Sequence, residues 1–592
     1  MNIPQLFFSK AAELEDKKAL IWKEPASGRW LSLSWNSFAR QVSSLTAHLL
    51  SQAFEKGERV ALLSENRPQW AIADLAILAA GGINVPLYFT STSNQIEHII
   101  RDSGARRMIV STCDQLEKVL NSKCMDDIHE IILFDKTNRA LPGKVKFLTD
   151  ILDSHSAEDH DLIKERINET GAHHTASILY TSGTTGPPKG VVLSHNNFIS
   201  NANASAEVIN VTGNDLLLSF LPLSHAFERT AGYYVPLFMG ASIAYAESVD
   251  KIAANMLEIK PTIMLGVPRF YEKTYAAVRE KIDSLSPFKK QIFQWSLAVG
   301  QACSERELNK EQLSPFLKLK RSIAGKLVFK PLKEGLGGRI RFFVSGGAPL
   351  SKDITAFFEA AGIVILEGYG LTETSPVITC NRLEWRKRGS VGRALPGLEV
   401  KIKTDGEVIT RGPHVMQGYF NKPEKTREVI REGWFYTGDI GEIDEDGFLT
   451  ITDRKKDIIV TSGGKNVAPQ TIETALVSNP LISQVMVYGD RKKYITALIV
   501  PDFAKLEELA KREKISHESL EALCGNEKII HIYLQITQKV LKNFAPFEQV
   551  KKVLLAGEEF SMAKGEITPT LKVKRKALIE KYGKHLDVLY DE

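Results

Sequence analysis

Short apolar runs recur through the first 450 residues of this chain and alternate with segments of helical periodicity. Arg59–Leu63, Met108–Ser111, Glu130–Phe134 and Ile340–Ser345 are such runs. Strands without a polar face must be covered on both sides, and the helices between them supply the cover. The pattern predicts α/β architecture with buried sheets. The most apolar stretch, Ala71–Leu87, carries Asp74, Asn84 and two glycines, so it reads as a buried helix entering a strand and not as a membrane span. From Gly397 to Ile451 the rhythm changes to short alternating strands with Asp405-Gly406 and Asp446-Gly447 turns, a β-rich subdomain of hairpins. The charged run Asp453–Asp457 (DRKKD) reads as a connector. At 592 residues the chain exceeds a single core, and the expected division is residues 1–453 and a smaller α+β region, 454–592.

Composition narrows the function. With 43% hydrophobic and 25% charged residues the chain is an ordered globular protein, and a net charge of +5 does not call for a nucleic-acid partner. The five cysteines, at 113, 124, 303, 380 and 524, form no CxxC pair, which argues against zinc and disulfides and for a reducing compartment. The N-terminus has no basic region leading into a long apolar run, and the chain ends in LYDE, so a cytoplasmic protein is expected. From Arg269 to Arg341 there are 16 Lys/Arg against 7 Asp/Glu, with amphipathic apolar spacing. Such helices can lie on an anionic membrane. A helical cap with a solvated basic face is the plainer reading and weighs more, unless the substrate itself lives in membranes.

The loop Tyr180–Gly190, YTSGTTGPPKG, sits between Ile178-Leu179 and Val191-Val192-Leu193, so it is expected to link two strands. Its glycines let backbone N–H groups converge on an anion, its threonines and serine add donors, and Lys189 adds a mobile positive charge. It is not a Walker A loop, because Pro187 and Pro188 precede the lysine. A nucleoside polyphosphate is the expected ligand, and a polar surface turn is the bland alternative. Four downstream motifs weigh against that alternative. SGGAPL at 345–350 offers a Gly-Gly turn that a flat ring can approach. EGYGLTET at 367–374 follows an apolar run, where open α/β sheets bind ligands. It offers Tyr369 for base stacking, the Thr372 hydroxyl, and Glu373 as a carboxylate for Mg2+ held with phosphates. YTGD at 436–439 supplies Asp439 for ribose hydroxyls, and DRKKDIIVTSGGKN at 453–466 supplies a cationic cluster and a second glycine turn.

Together these motifs resemble the ANL superfamily of adenylate-forming enzymes, which includes acyl-CoA synthetases, peptide-synthetase adenylation domains and luciferases. Gly433–Lys456 resembles the signature of fatty acyl-CoA synthetases, and LPLSHAFERT at 221–230 and GEITPTLKVKR at 565–575 resemble the long-chain branch. The resemblance covers essentially the whole chain. It implies an α/β fold with a large N-terminal domain of stacked β-sheets, flanking helices and a β-rich subdomain, followed by a small mobile C-terminal α+β domain. It also implies ATP-dependent activation of a long-chain fatty acid to acyl-adenylate, then transfer to coenzyme A with release of AMP and pyrophosphate.

The resemblance carries roles onto particular residues. Thr181, Ser182, Gly183, Thr184, Thr185, Gly186 and Lys189 would cradle the β- and γ-phosphates, and Thr181 with Glu373 would hold Mg2+. Gly346, Gly347 and Ala348, with Glu367, Gly368, Tyr369, Gly370, Leu371 and Thr372, would line the adenine pocket. Asp439 and Arg454 would meet the ribose. His225 matches the residue beside the acyl carboxylate, as a positional or gating group and not a general base. Aligning Lys572-Val573-Lys574-Arg575 selects Lys572 as the cation for the attacking carboxylate, although Leu571 stands where glycine is usual. Lys574 and Lys564 remain open for that role. Lys456 matches the hinge, and the turn holding Gly463, Gly464 and Lys465 would face the thiol tunnel after rotation. Acyl carrier protein is the competing acceptor, and an adenylate binder without catalysis is the competing class. Peripheral membrane contact through 280–335, on the inner face of a membrane, and a homodimer stay open.

Overall fold

A computed structural model describes residues 1–154, 160–181, 188–561, 564–568 and 573–591. The apolar runs become the inner strands of two large sheets, one of eight strands and one of nine. In the first, Arg59–Leu63 pairs in parallel with Ile83–Leu87 and Arg107–Val110, and Glu130–Leu133 extends the row. Toward its other edge lies the antiparallel hairpin of β1 (Thr175–Thr181) and β2 (Lys189–Ser194), in which Thr181 faces Lys189. The hairpin realises the expected strand–loop–strand, and residues 182–187 of the loop lie outside the described residues.

The second sheet carries β3 (Leu216–Ser219) and β4 (Ile263–Gly266) side by side and parallel. Four helices follow: α1 (Pro268–Asp283), α2 (Pro287–Leu308), α3 (Pro315–Ala324) and, after a π-helical turn at Gly325–Phe329, α4 (Lys330–Glu334). The chain re-enters the sheet as β5 (Phe342–Ser345), parallel to β4, and then β6 (Ile365–Gly370), parallel to β5. The strand starts at Phe342, two residues later than expected, although the Arg341 N–H still donates to Thr262 O at 2.8 Å; the Arg341 guanidinium pairs with Asp215 at 2.6 Å. The two-residue strand β7 (Gly418–Tyr419) returns to the first sheet and pairs with β2. The hairpin subdomain is present, with β8 (Trp434–Ile443) and β9 (Leu449–Arg454) antiparallel and Asp439 opposite Arg454. Gly406 and Gly447 adopt φ of +81° and +82° in the two Asp-Gly turns, a conformation that other residues adopt only with strain.

One core joins the sheets. The helix Pro68–Ala79, buried along nearly its whole length, packs with inward side chains of both. Its single charge, Asp74, pairs with Arg229 and accepts from the Tyr234 hydroxyl at 2.8 Å and the Asn84 amide at 2.6 Å. Arg229 also donates to Ser177 of β1 at 2.6 Å. A fully buried ion pair is tolerable only when every lone pair is met in this way. It ties β1 to the segment that carries His225. Beside Arg229, burial pushes the Glu228 carboxyl up to about 8, and its Oε1 accepts from Ser219 at 2.6 Å. Two further hydrophobic clusters draw only on residues from Ile459 onward. In the charged run Asp453–Asp457, strand β9 continues to Arg454 and a turn follows; Asp453 is buried, its carboxyl pushed up to about 6, while Arg454, Lys455 and Lys456 are exposed. Among the described residues no helix is long and apolar enough to cross a membrane.

Candidate active site

The C-terminal ends of β5 and β6 and the β1–β2 hairpin open onto one cavity of about 2060 Å3. At its hairpin end, Thr181 and Lys189 face each other across the ladder. The Lys189 ammonium sits 4.9 Å from the ring centroid of Tyr419, on β7. The Tyr419 hydroxyl donates to Glu373 Oε1 at 2.8 Å. Burial holds Lys189 below the usual lysine range, the positive charge of Lys456 lowers it further, and Glu373 acts in the opposite sense. A cation that is partly desolvated beside a second cation has a strong claim on an anionic ligand. Gly190 is required here: a Cβ at this position would lie 2.6 Å from Ile178 in the paired strand.

Strand β6 delivers the next wall. The Tyr369 hydroxyl donates to Asp439 Oδ2 at 2.7 Å, while Arg454 pairs with Asp439 Oδ1 at 3.0 Å. The strand register places Asp439 and Arg454 opposite one another, so the pair is built by backbone pairing and not by side-chain reach. Gly346 and Gly347 turn the chain after β5 and line the same cavity, with Gly347 at φ +86°. His225 lines it too, on the turn after β3, with Nδ1 accepting from the Phe227 amide at 3.3 Å. Residues far downstream complete the wall: Thr568, Val573, Lys574 and Arg575 all face the cavity, and Arg575 grips both oxygens of Glu473 at 2.7 Å.

Beyond this polar chamber the same cavity is walled by largely apolar side chains of the helical cap, referred to below as its arm. Helix α1 lines it through Phe270, Thr274, Ala277 and Lys281, and Ile292, Leu327 and Leu332 contribute from α2, the π turn and α4. From Phe270 to Ile282 the helix climbs about 18 Å at 1.5 Å per residue. An extended hydrocarbon advances about 1.25 Å per carbon, so the wall matches roughly fourteen carbons.

Residues 7–420 match the AMP-binding enzyme family, and residues 456–592 match the AMP-binding enzyme C-terminal domain. The chain belongs to the AMP-binding enzyme family. This AMP-binding enzyme is 33% identical over 600 residues to a Mycobacterium bovis protein named long-chain-fatty-acid–CoA ligase FadD15, covering 100% of this chain and 97% of the other. ATP-bound MatB from Rhodopseudomonas palustris superposes with a TM-score of 0.69 at 25% identity, covering 98% and 99% of the two chains. The adenylation domain of a Mycobacterium chelonae carboxylate reductase gives 0.78 at 22% identity, over 100% and 91%, a likeness of fold.

Most residues singled out in this AMP-binding enzyme converge on the cavity: Thr181, Lys189, His225, Gly346, Gly347, Ala348, Gly368–Glu373, Asp439, Arg454 and Lys456. Ser182, Gly183, Thr184, Thr185, Gly186 and Lys572 lie outside the described residues. Glu367 does not line the cavity. It still pairs with Ser345 inside the sheet, only 6% exposed, and burial pushes its carboxyl up to about 7. From Gly368 onward β6 outruns its pairing with β5 and, still paired on its other side with Val377–Cys380, borders the cavity. Gly463, Gly464 and Lys465 form a turn away from the cavity, closed by Gly464 N–H donating to Thr461 O at 2.9 Å. Lys564 is engaged by Glu558 and does not reach the cavity, whereas Lys574 does. Tyr419 and the helical walls of the arm were missed. No motif marks Tyr419, because its place depends on a two-residue strand pairing across the fold.

Proposed function

We propose that this AMP-binding enzyme joins a long-chain fatty acid to coenzyme A in two steps through an acyl-adenylate. The observation that carries the reading is a single cavity that has a cationic, glycine-lined chamber at one end and an arm about fourteen carbons long at the other. The first step brings a carboxylate against a polyanionic triphosphate, and its barrier is charge repulsion. Lys189 and the β1–β2 loop offset that charge at the β- and γ-phosphates. Tyr369, Asp439 and Arg454 hold the nucleoside, with Asp439 free to exchange its partners for ribose hydroxyls. The Thr181 hydroxyl and the Glu373 carboxylate form the kind of sparse donor set that suits Mg2+ arriving with phosphates, and the ion would supply electrostatic stabilisation at the α-phosphate. The cation for the attacking carboxylate comes from the 572–575 segment, with Lys572 as the first choice and Lys574 the second.

The second step needs pyrophosphate out and a thiol in. Residues 454–592 form the unit that rotates, hinged at Lys456, and would turn the Gly463–Lys465 loop toward the acyl carbonyl. Support for this division comes from the hydrophobic clusters, which do not mix residues before Phe435 with those after Ile459. Coenzyme A is the acceptor preferred over acyl carrier protein, in keeping with the name of the Mycobacterium bovis relative. The test is AMP release across fatty acids of graded length, with coenzyme A, acyl carrier protein or no acceptor. Turnover that peaks at long chains and needs coenzyme A supports the reading. Turnover with acyl carrier protein alone, or none with any acid, refutes it.

A further inference from the structure

Helix α1 does more than wall the arm. In its first turn, beside Phe270, Arg269 reaches a residue 214 positions further along the chain. Its Nη1 donates to the backbone carbonyl of Ser483 at 2.7 Å, and its Nη2 donates to the Ser483 hydroxyl at 3.2 Å. Ser483 is buried and stands in β10 (Ile482–Tyr488). A planar guanidinium fork suits a carbonyl and a hydroxyl side by side, and a single ammonium would meet only one of them well. Glu272, one turn further along α1, stands 3.8 Å from the same Nη1 and steadies the fork from its other side.

Strand β10 also braces both ends of the segment that carries the candidate cations. Gln484, next to Ser483, accepts from the Phe560 N–H at 2.8 Å and donates its amide to Phe560 O at 3.3 Å. Further along β10, Val487 O accepts from Arg575 Nη1 at 2.9 Å, and the Val487 N–H donates at 2.7 Å to Glu473, the carboxylate that Arg575 grips. Positions 560 and 575 bracket Lys564, Lys572 and Lys574. Arg269, Ser483, Gln484, Phe560 and Lys574 border the one cavity. A catalytic cation displaced by about 1 Å can cost on the order of a hundredfold in rate, so whatever fixes β10 bears on the chemistry. We propose that Arg269 is a positioning residue for adenylation: by holding Ser483 it sets β10, and with it both ends of the 560–575 segment, against the chamber where the carboxylate meets the α-phosphate. Arg269 lies outside the unit that rotates and Ser483 within it, so the same bonds part before the thiol step. The proposal rests on the ligase reading for the identity of the two half-reactions.

Reading the half-reactions apart tests it. Arg269→Gln should slow the maximal rate of pyrophosphate release from ATP and palmitate about tenfold, the loss of two charge-assisted hydrogen bonds discounted for a side chain that water reaches. The KM for ATP should move less than about twofold, and thioester formation from supplied palmitoyl-adenylate and coenzyme A should run at the unaltered rate or faster. Arg269→Lys keeps a donor for the Ser483 carbonyl and should recover pyrophosphate release to within about threefold of the unaltered protein. The placement is measured without turnover by nitroxides at two exposed positions, Glu280→Cys on α1 and Lys493→Cys in the C-terminal unit. Cys113→Ser removes the one native cysteine that is not buried. With ATP bound, the distance between the labels should be narrowly distributed, broadened by Arg269→Gln and narrow again in Arg269→Lys. Equal slowing of both half-reactions overturns the proposal, as does an unchanged rate of pyrophosphate release or a distance distribution that Arg269→Gln leaves unaltered. If the distances respond as expected but the unaltered protein releases no pyrophosphate with any acid, the ligase reading fails and the hold of Arg269 on β10 stands.

Discussion

Replacing Ala277 with phenylalanine should shorten the substrate range of this enzyme at a calculable carbon. Ala277 lines the arm seven residues beyond Phe270 on α1. Seven helical residues rise about 10 Å, which an extended chain covers in roughly eight carbons. A phenyl ring at that depth cuts off about six of the roughly fourteen carbons that the wall can bury. At about 0.8 kcal/mol each, the loss has a ceiling near 5 kcal/mol. Chains that already coil on themselves in water lower that figure, so kcat/KM for palmitate should fall roughly 10²- to 10⁴-fold. Octanoate ends before the plug and should change less than about threefold. The fold should hold, because Ala277 faces the lumen and phenylalanine costs only about 0.5 kcal/mol of helix propensity. The assay is AMP release with coenzyme A, run on both acids, with the thermal midpoint as a control. Equal losses on the two acids, or none on palmitate, would refute the assignment of the arm as the acyl site.

Three more outcomes can be checked. Lys572→Ala should abolish adenylate formation, read as pyrophosphate release, and spare thioester formation from supplied acyl-adenylate; if adenylation survives in that variant and dies in Lys574→Ala, the catalytic cation is Lys574. Glu228 has a folded pKa of about 8 against an ordinary value of 4.5, so its contribution to stability is complete at low pH and drains away as pH rises between those values. The thermal midpoint should therefore decline between about pH 5 and 8, and Glu228→Gln should flatten that decline; parallel curves would count against a buried neutral acid. Asp439→Asn removes the charge that Tyr369 and Arg454 share. The KM for ATP should rise about tenfold or more, while stability drops by only about 1 kcal/mol because Arg454 is half exposed and regains water.

The parts of the site that sequence exposes are the ones made by contiguous backbone. The β1–β2 hairpin, the Gly-Gly turn after β5 and the Asp439–Arg454 rung each fit inside one short motif, and glycine or turn residues announce them. Glu367 shows the cost of reading a motif as a block. The residues after it border the cavity and it does not, and only the pairing with Ser345 reveals that it is still enclosed between strands. Tyr419 was illegible for the opposite reason, since Lys189, under its ring, comes from another strand and Glu373, its hydroxyl's partner, from the turn after β6. The basic helices gave up their amphipathic spacing readily. That pattern could not say that they carry three faces, one packed on the core, one walling the arm and one left to solvent.

The walls named for the apolar arm all lie upstream of β5, whereas Asp439, Arg454 and Lys574 line the cavity from far downstream. On the proposed division, the tail of the acid is held by parts outside the unit that rotates. Diet and chemistry are written in separate passages of the same gene. Natural variation in four helices can retune which lipids the enzyme accepts, and none of those changes need disturb a phosphate contact.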